Sequence, residues 1–410
     1  MRYKYPSEWK VSLLDDVTIR GSGHTPSQSN PDYWNGGIKW VSLADSSKLD
    51  NLFIANTDKE ISDLGLENSS AVKHPAGTVI LSRDAGIGKS AILKEDMAVS
   101  QHFIVWKCSS KKIINNFYLY YWLQMMKPEF ERMAVGSTVK TIGLPYFKKL
   151  KIAYPPLPEQ RKIADILGTW DKAIALLEQL ITAKRKLKRG LMQQLLTGKK
   201  RFKEFEGSEW KKVHLSNLCS LITKGTTPTS VGFEFSSAGV NYIKIESITE
   251  DGQFIPEKFA KISQKAHNAL KRSQLEESDI LFSIAGALGR VAIVNQHTLP
   301  ANTNQALAII RLGKKNKICH RYLFQYLKSE LIVKHIVRIN VQAAQANLSL
   351  AQLNDFEIIL PSLPEQEKIA AILSTADDEI STLEKKLAAY KQQKRGLMQQ
   401  LLTGKKRVKL

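Results

Sequence analysis

Apolar residues recur at spacings of three and four along two stretches that lie half a chain apart. In the first they are Ile163, Ile166, Trp170, Ile174, Leu177, Ile181, Leu187, Leu191 and Leu195. In the second they are Ile369, Leu373, Ala376, Ile380, Leu383, Leu387, Tyr390, Leu397 and Leu401. That is the period of a coiled-coil seam, and it predicts two helices of about 38 residues, roughly 57 Å each. Pro158 and Pro364 suit the first helical position, and Leu157 and Leu363 can pack back as staples. Thr-Gly at Thr197–Gly198 and Thr403–Gly404 supplies a stop through a left-handed glycine. A lone helix with such a seam is a poor monomer, so the two are expected to pack on each other.

Elsewhere the pattern is that of short strands. "GIKWVSLADSS" and "GVNYIKIESIT" each read as an apolar strand followed by polar residues. "GTVILSRDAGIGKSAI" (Gly77–Ile92) and "SDILFSIAGALGRVAIV" (Ser278–Val294) read as two strands around a Gly-rich turn. An aromatic helix follows each time ("NNFYLYYWLQMM"; "HRYLFQYLKSELI"), then a strand that runs into Leu-Pro-Glu-Gln. Upstream, "SEWKVSLLDDVTIRGSGHTPS" resembles "SEWKKVHLSNLCSLITKGTTPTS". The expected order is globular (1–156), helix (157–203), globular (204–362), helix (363–410), in the α+β class with an internal repeat. Leu410 is expected close to Met1, each unit closing on the start of the other.

The helices are the better-kept part of the repeat. Leu157–Arg201 aligns without a gap to Leu363–Arg407 at an offset of 206, with 29 of 45 positions identical. "KRGLMQQLLTGKKR" is unchanged between Lys188–Arg201 and Lys394–Arg407. Either the two helix ends dock the same partner, or each builds the same joint with the other helix. Ile181, Leu187, Leu191, Met192 and Leu195, with Ile380, Leu383, Leu387, Leu397, Met398 and Leu401, form the expected helix-pair or partner interface.

Charge changes the picture. The 60 Lys+Arg against 39 Asp+Glu give +21, which points to a polyanionic partner. The helical stretches carry +12 and the globular segments +9, a spread suited to phosphates along an extended footprint. "KRKLKR" (Lys184–Arg189) reads equally as a phosphate contact, a solvated face or a docking surface. No run approaches the roughly 18–20 apolar residues of a membrane span, and "MRYKYPSEWKVSLLDD" lacks the apolar core of a signal peptide. Cys108, Cys219 and Cys319 are isolated and fit no disulfide or zinc spacing, so a reducing cytoplasm is expected.

No catalytic constellation stands out. "AGIGKS" (Ala85–Ser90) has Arg83 where a phosphate-binding loop needs its first glycine. The Pro-Pro of "YPPLP" (Tyr154–Pro158) has the wrong flanks for an amino-methyltransferase loop. Pro31-Asp32 lacks the Asp/Glu-x-Lys of a magnesium nuclease, and the eight histidines show no ligand spacing. Neither metal nor cofactor is expected in this chain.

Base reading needs paired donors and acceptors on exposed loops. The first globular segment offers Arg20, Ser22, His24, Thr25, Lys39, Arg83, Lys89, Gln101, His102 and Lys140. The second offers Lys224, Thr226, Thr227, Lys244, Arg290, Asn302, Asn304, Gln305, Gln342 and Gln345.

The doubled run from Leu-Pro-Glu-Gln to "KRGLMQQLLTGKKR", each time after a dissimilar domain, resembles the specificity subunit of type I restriction–modification systems. The likeness covers the whole chain. It implies two target recognition domains, each reading one half of a split double-stranded DNA site, separated by two antiparallel coiled-coil helices in pseudo-twofold symmetry. It implies two docked methyltransferase subunits acting on adenine, and nuclease/translocase subunits joining through them. S-adenosylmethionine, ATP and magnesium would belong to those partners. A standalone DNA-binding scaffold or regulator, or the recognition subunit of a methyltransferase-only system, are the alternatives.

Overall fold

A computed structural model describes residues 4–136, 140–313, 318–339 and 347–409. Leu-Pro-Glu-Gln opens a helix both times: the first long helix is Leu157–Leu195 and the second Leu363–Leu402. They stop alike. Gly198 and Gly404 both take φ of 71°, which costs glycine little because it has no Cβ. The Lys200 N–H donates to Gln194 O at 3.2 Å, as Lys406 N–H does to Gln400 O at 3.2 Å. That wide closure ties off carbonyls a helix end leaves unpaired.

By their contacts the residues fall into two units, 1–178 with 385–410, and 179–384. Each unit therefore contains one globular segment and half of each long helix. In the first, a five-stranded sheet runs in the order Ile19–Ser22, Phe103–Lys107, Val79–Ser82, Ser90–Leu93, Phe53–Ile54. A four-stranded sheet has the order Lys59–Ile61, Trp34–Val41, Met97–Val99, Lys73–His74, and Lys10–Leu13 pairs with Lys151–Tyr154. The second unit repeats the plan. Cys219–Lys224, Leu307–Leu312, Ile280–Ser283 and Val291–Ile293 form one sheet; Phe235–Ser236, Ala260–Ile262, Val240–Ile243 and Ala301–Thr303 form another. Lys211–His214 pairs with Glu357–Leu360. The Gly-rich turns close antiparallel hairpins, with Val79 opposite Ile92 and Ile280 opposite Ile293.

Each core is closed by the start of one long helix and the end of the other. In the first unit, Tyr118, Tyr121 and Trp122 of the helix Asn116–Met133 cluster with Ile163 and Leu167 and with Leu401 and Leu402. In the second, Tyr322 and Leu323 cluster with Ile369 and Leu373 and with Leu195 and Leu196. Burying such side chains contributes about 1.5–3 kcal/mol each, so neither core is complete without both helices. The position of Leu410 against Met1 lies outside the described residues.

The helices run antiparallel within each unit. In the first, Glu159 meets Arg407, Asp171 meets Lys394 and Glu178 meets Lys391, while Trp170 packs edge-on to Tyr390 at 5.3 Å. In the second, Arg201 meets Glu365, Lys188 meets Asp377, Arg185 meets Glu384, and Ile181 and Ile380 are both 6% exposed. One seam expectation is corrected. Leu187 is 57% exposed, and the three-four spacing continues from Ile181 through Lys184 and Lys188 instead. Lys188 is 9% exposed, its Nζ 2.5 Å from Asp377, and Lys184 Nζ lies 2.7 Å from Glu379. A lysine stem is apolar enough to line a seam when a carboxylate across it takes the charge. Leu383 and Leu387 are half-buried.

Candidate nucleic-acid interface

Gly23 and Gly225 set the geometry of the two candidate loops. A Cβ on Gly23 would lie 1.6 Å from Val99 O, and one on Gly225 2.0 Å from Thr303 O, so only glycine lets the loop approach the strand this closely. The next N–H then reaches that same carbonyl: His24 N to Val99 O at 3.1 Å, and Thr226 N to Thr303 O at 3.1 Å. An aromatic side chain braces each loop from the neighbouring strand. Trp40 Nε1 donates to His24 O at 3.0 Å, and Tyr242 Oη to Thr226 O at 3.0 Å. The result is the same contact in both domains: the Thr25 hydroxyl donates to Gln101 Oε1, and the Thr227 hydroxyl to Gln305 Oε1. Gln101 and Gln305 are exposed. Thus His24, Thr25 and Gln101 come together in one domain, and Thr226, Thr227, Gln305 and the adjoining Asn304 in the other.

Trp40 and Tyr242 were not among the residues read from the sequence, although "GIKWVSL" and "GVNYIKI" place them in register. Arg272 was also missed; its Nη2 donates to Thr226 Oγ1 at 2.9 Å. No signal in the sequence ties it to that loop.

Several candidates make contacts within the fold. Lys89 Nζ donates to Ser46 O at 2.9 Å, and Arg290 Nη1 to Ile248 O at 2.9 Å and Ile245 O at 3.3 Å. Each basic side chain after a Gly-rich turn thus holds a carbonyl oxygen at a 3-10 turn. Asn302 is fully buried, donating to Leu270 O and Ser273 Oγ, and is removed from the exposed set. Lys39 donates to Ala55 O at 2.6 Å and pairs with Glu95. Arg20 Nε donates to both carboxylate oxygens of Asp15 at 3.0 Å.

Arg83 and His102 flank Asp84, at 3.7 Å and 2.6 Å, and the Thr141 hydroxyl donates to the same carboxylate. Lys244 sits 4.5 Å from the centre of the Phe235 ring. Ser22, Lys140 and Lys224 are exposed, and Gln342 and Gln345 lie outside the described residues. Beneath the first loop, His74 is 3.3 Å from Ser22 O. Burial, with Lys107 nearby, lowers its pKa to about 4.

The identical helix ends separate into two sets. One set is consumed inside the chain. Arg201 grips buried Glu365 with both arms (3.1 and 2.7 Å), and Arg407 grips buried Glu159 likewise (2.7 and 2.8 Å). Leu195 and Leu401 are buried in the two cores, with Leu191, Met192, Leu397 and Met398 packed against them. Lys184, Arg185 and Lys188 are ion-paired across the helices, a role beside the three readings left open for that run.

The second set is exposed: Arg189, Gln193 and Gln194 in one copy, Arg395, Gln399 and Gln400 in the other, with Gln193 Nε2 donating to Glu330 Oε2 at 2.8 Å. Between them stand Gly190 and Gly396, and a Cβ on either meets no described atom within 4 Å. A mid-helix glycine costs about 1 kcal/mol against alanine, and no contact among the described residues requires it.

Comparison with known proteins decides the family. The sequence model of the type I restriction modification DNA specificity domain matches twice, over residues 6–183 and 207–390. The chain belongs to that family. Members are non-catalytic, DNA-binding specificity subunits of type I restriction–modification systems, and the family normally lacks cofactors. The specificity subunit of the type I restriction enzyme MjaVIII, from Methanocaldococcus jannaschii, is 26% identical, covering 99% of this chain and 95% of that one.

The crystal structure of the type I restriction-modification S subunit from M. genitalium superposes with a TM-score of 0.59 at 16% identity, covering 98% of this chain and 99% of its own. A chain solved for complex assembly and conformational transition of the type I R-M system gives 0.61 at 18% identity, covering 98% and 99%. Both share the specificity-subunit fold. No described helix is long and apolar enough to cross a membrane, and no group of three metal-binding side chains gathers among the described residues.

Proposed function

We propose that this specificity subunit reads a bipartite, asymmetric DNA target. Residues 1–156 and 204–362 serve as the two target recognition domains, and the helices at 157–203 and 363–410 as the spacer between them. It docks two methyltransferase subunits that act on adenine, and nuclease/translocase subunits join through those. S-adenosylmethionine, ATP and magnesium enter with the partners, and the assembly works in the cytoplasm, where the three free thiols stay reduced.

One observation carries the reading. The Gly–Thr–Gln loop is built twice with the same contacts on globular sequences that have otherwise diverged, while the outward helix faces are identical. Divergent domains around a common loop suit two different half-sites, and identical outward faces suit two copies of one partner. The net charge of +21 supplies the phosphate attraction. The test is to replace the first globular segment with that of a relative and map genome methylation. One half of the target should change and the other persist. A target that changes in both halves, or in neither, would defeat the division of labour.

A further inference from the structure

The two Thr–Gln pairs carry more than the general reading, on which this inference rests. Gln101 and Gln305 stand on exposed loops, and each amide oxygen accepts one hydrogen bond from a threonine hydroxyl. Among the described residues neither amide nitrogen has a partner. A free glutamine amide rotates and can present its two ends either way round. Here the threonine hydroxyl donates to the oxygen end, which leaves the nitrogen end and the second oxygen lone pair outward in that arrangement. The threonines are themselves fixed, because glycine, a backbone hydrogen bond and an indole or phenol donor pin each loop.

An outward edge with one donor and one acceptor matches adenine, whose N7 accepts and whose N6 amino group donates. Guanine presents two acceptors on that edge and would leave the glutamine oxygen facing an acceptor. The neighbours in the two loops differ: His24 stands where the other domain has Thr226, and His102 where it has Ala306.

We infer that Gln101 and Gln305 are base-reading residues, each presenting a threonine-oriented amide to an adenine at the corresponding position of its own half-site. Thr25 and Thr227 are the positioning residues. The flanking side chains that differ then account for bases at which the two half-sites differ.

The experiment uses the full chain assembled with its methyltransferase subunit, selecting from a duplex library randomised across the divided site. Gln101→Glu keeps an acceptor for Thr25 but loses the outward donor. It should lower adenine preference at one position of one half-site by on the order of ten-fold and leave the other half unchanged. Gln305→Glu should do the same in the opposite half. Thr25→Val, which frees the amide, should relax preference at the Gln101 position alone. Thermal melting checks that the variants fold, and both glutamines are exposed enough to tolerate Gln→Ala as a second variant.

Variants that select the wild-type sequence, or that weaken every sequence equally, would overturn the inference while the proposed function stood. A wild-type complex that selects no divided site would remove both.

Discussion

Lys188 Nζ lies 2.5 Å from Asp377 inside the helix seam, and Lys394 and Asp171 repeat the pair 206 positions away. Gln325 Nε2 holds the second oxygen of Asp377 at 2.7 Å, and Tyr121 Oη that of Asp171 at 2.8 Å. A half-buried pair with its remaining lone pairs occupied adds little net stability but is costly to break. Lys188→Asp should destabilise the second unit by about 3–5 kcal/mol. Exchanging the charges, Lys188→Asp with Asp377→Lys, should recover most of the loss. Urea unfolding of the wild type, Lys188→Asp, Asp377→Lys and the double exchange measures the coupling, and purely additive losses would show that the pair does not set the helix register.

The apolar part of the seam gives a contrast between neighbouring residues. Ile380→Asp buries a carboxylate at a position 6% exposed and should cost several kcal/mol, about 3–5. Leu187→Asp, at a position 57% exposed, should stay within about 0.5 kcal/mol. Complex assembly measured by light scattering should fail for the first and survive for the second. Equal effects would mean that Leu187 is covered in the assembly.

These two cases show which features the sequence made legible. The long helices could be read because apolar period, opening proline and closing glycine agree. The lysines in the seam could not, since Lys184 and Lys188 look like solvated charge until Glu379 and Asp377 are placed opposite. The internal partners of Lys89 and Arg290 were hidden for the same reason: only the fold brings up Ser46 O and Ile248 O. Thr25 and Thr227 were visible in "GHTP" and "GTTP". Their glutamines lie 76 and 78 residues further on, and only strand pairing brings them within reach.

Gly190 and Gly396 test the outward helix faces. Gly190→Ala should stabilise the isolated chain by about 1 kcal/mol, because the helix gains and nothing is struck. Gly190→Trp should fold normally yet lose one of two methyltransferase subunits, and Gly396→Trp the other. Native mass spectrometry counts the subunits. Full occupancy in both tryptophan variants would place the docking surface elsewhere.

His74 gives the first unit a pH dependence of known sign. Its pKa falls from 6.5 to about 4 through burial first and Lys107 second, so the folded state favours the neutral ring. Its contribution is complete above pH 6.5 and is lost as pH falls toward 4, where the loss reaches roughly 3 kcal/mol. His74→Gln should flatten the urea midpoint against pH in that window relative to wild type. Parallel curves would mean that His74 is solvated in solution.

The two arginine–glutamate joints carry a consequence for exchange. Arg201 finds Glu365 and Arg407 finds Glu159 within the same sequence runs, Leu-Pro-Glu-Gln and Gly-Lys-Lys-Arg, although Arg201 also holds Ser208 O and Arg407 also meets Glu8. A joint of this kind holds no information about which globular segment it closes. The chain is therefore laid out as two globular slots, each followed by the same fourteen-residue run, Lys188–Arg201 and Lys394–Arg407. A globular segment exchanged between those runs would meet the same arginine–glutamate joint at its end, so under the proposed function a change of target would need no change in the long helices.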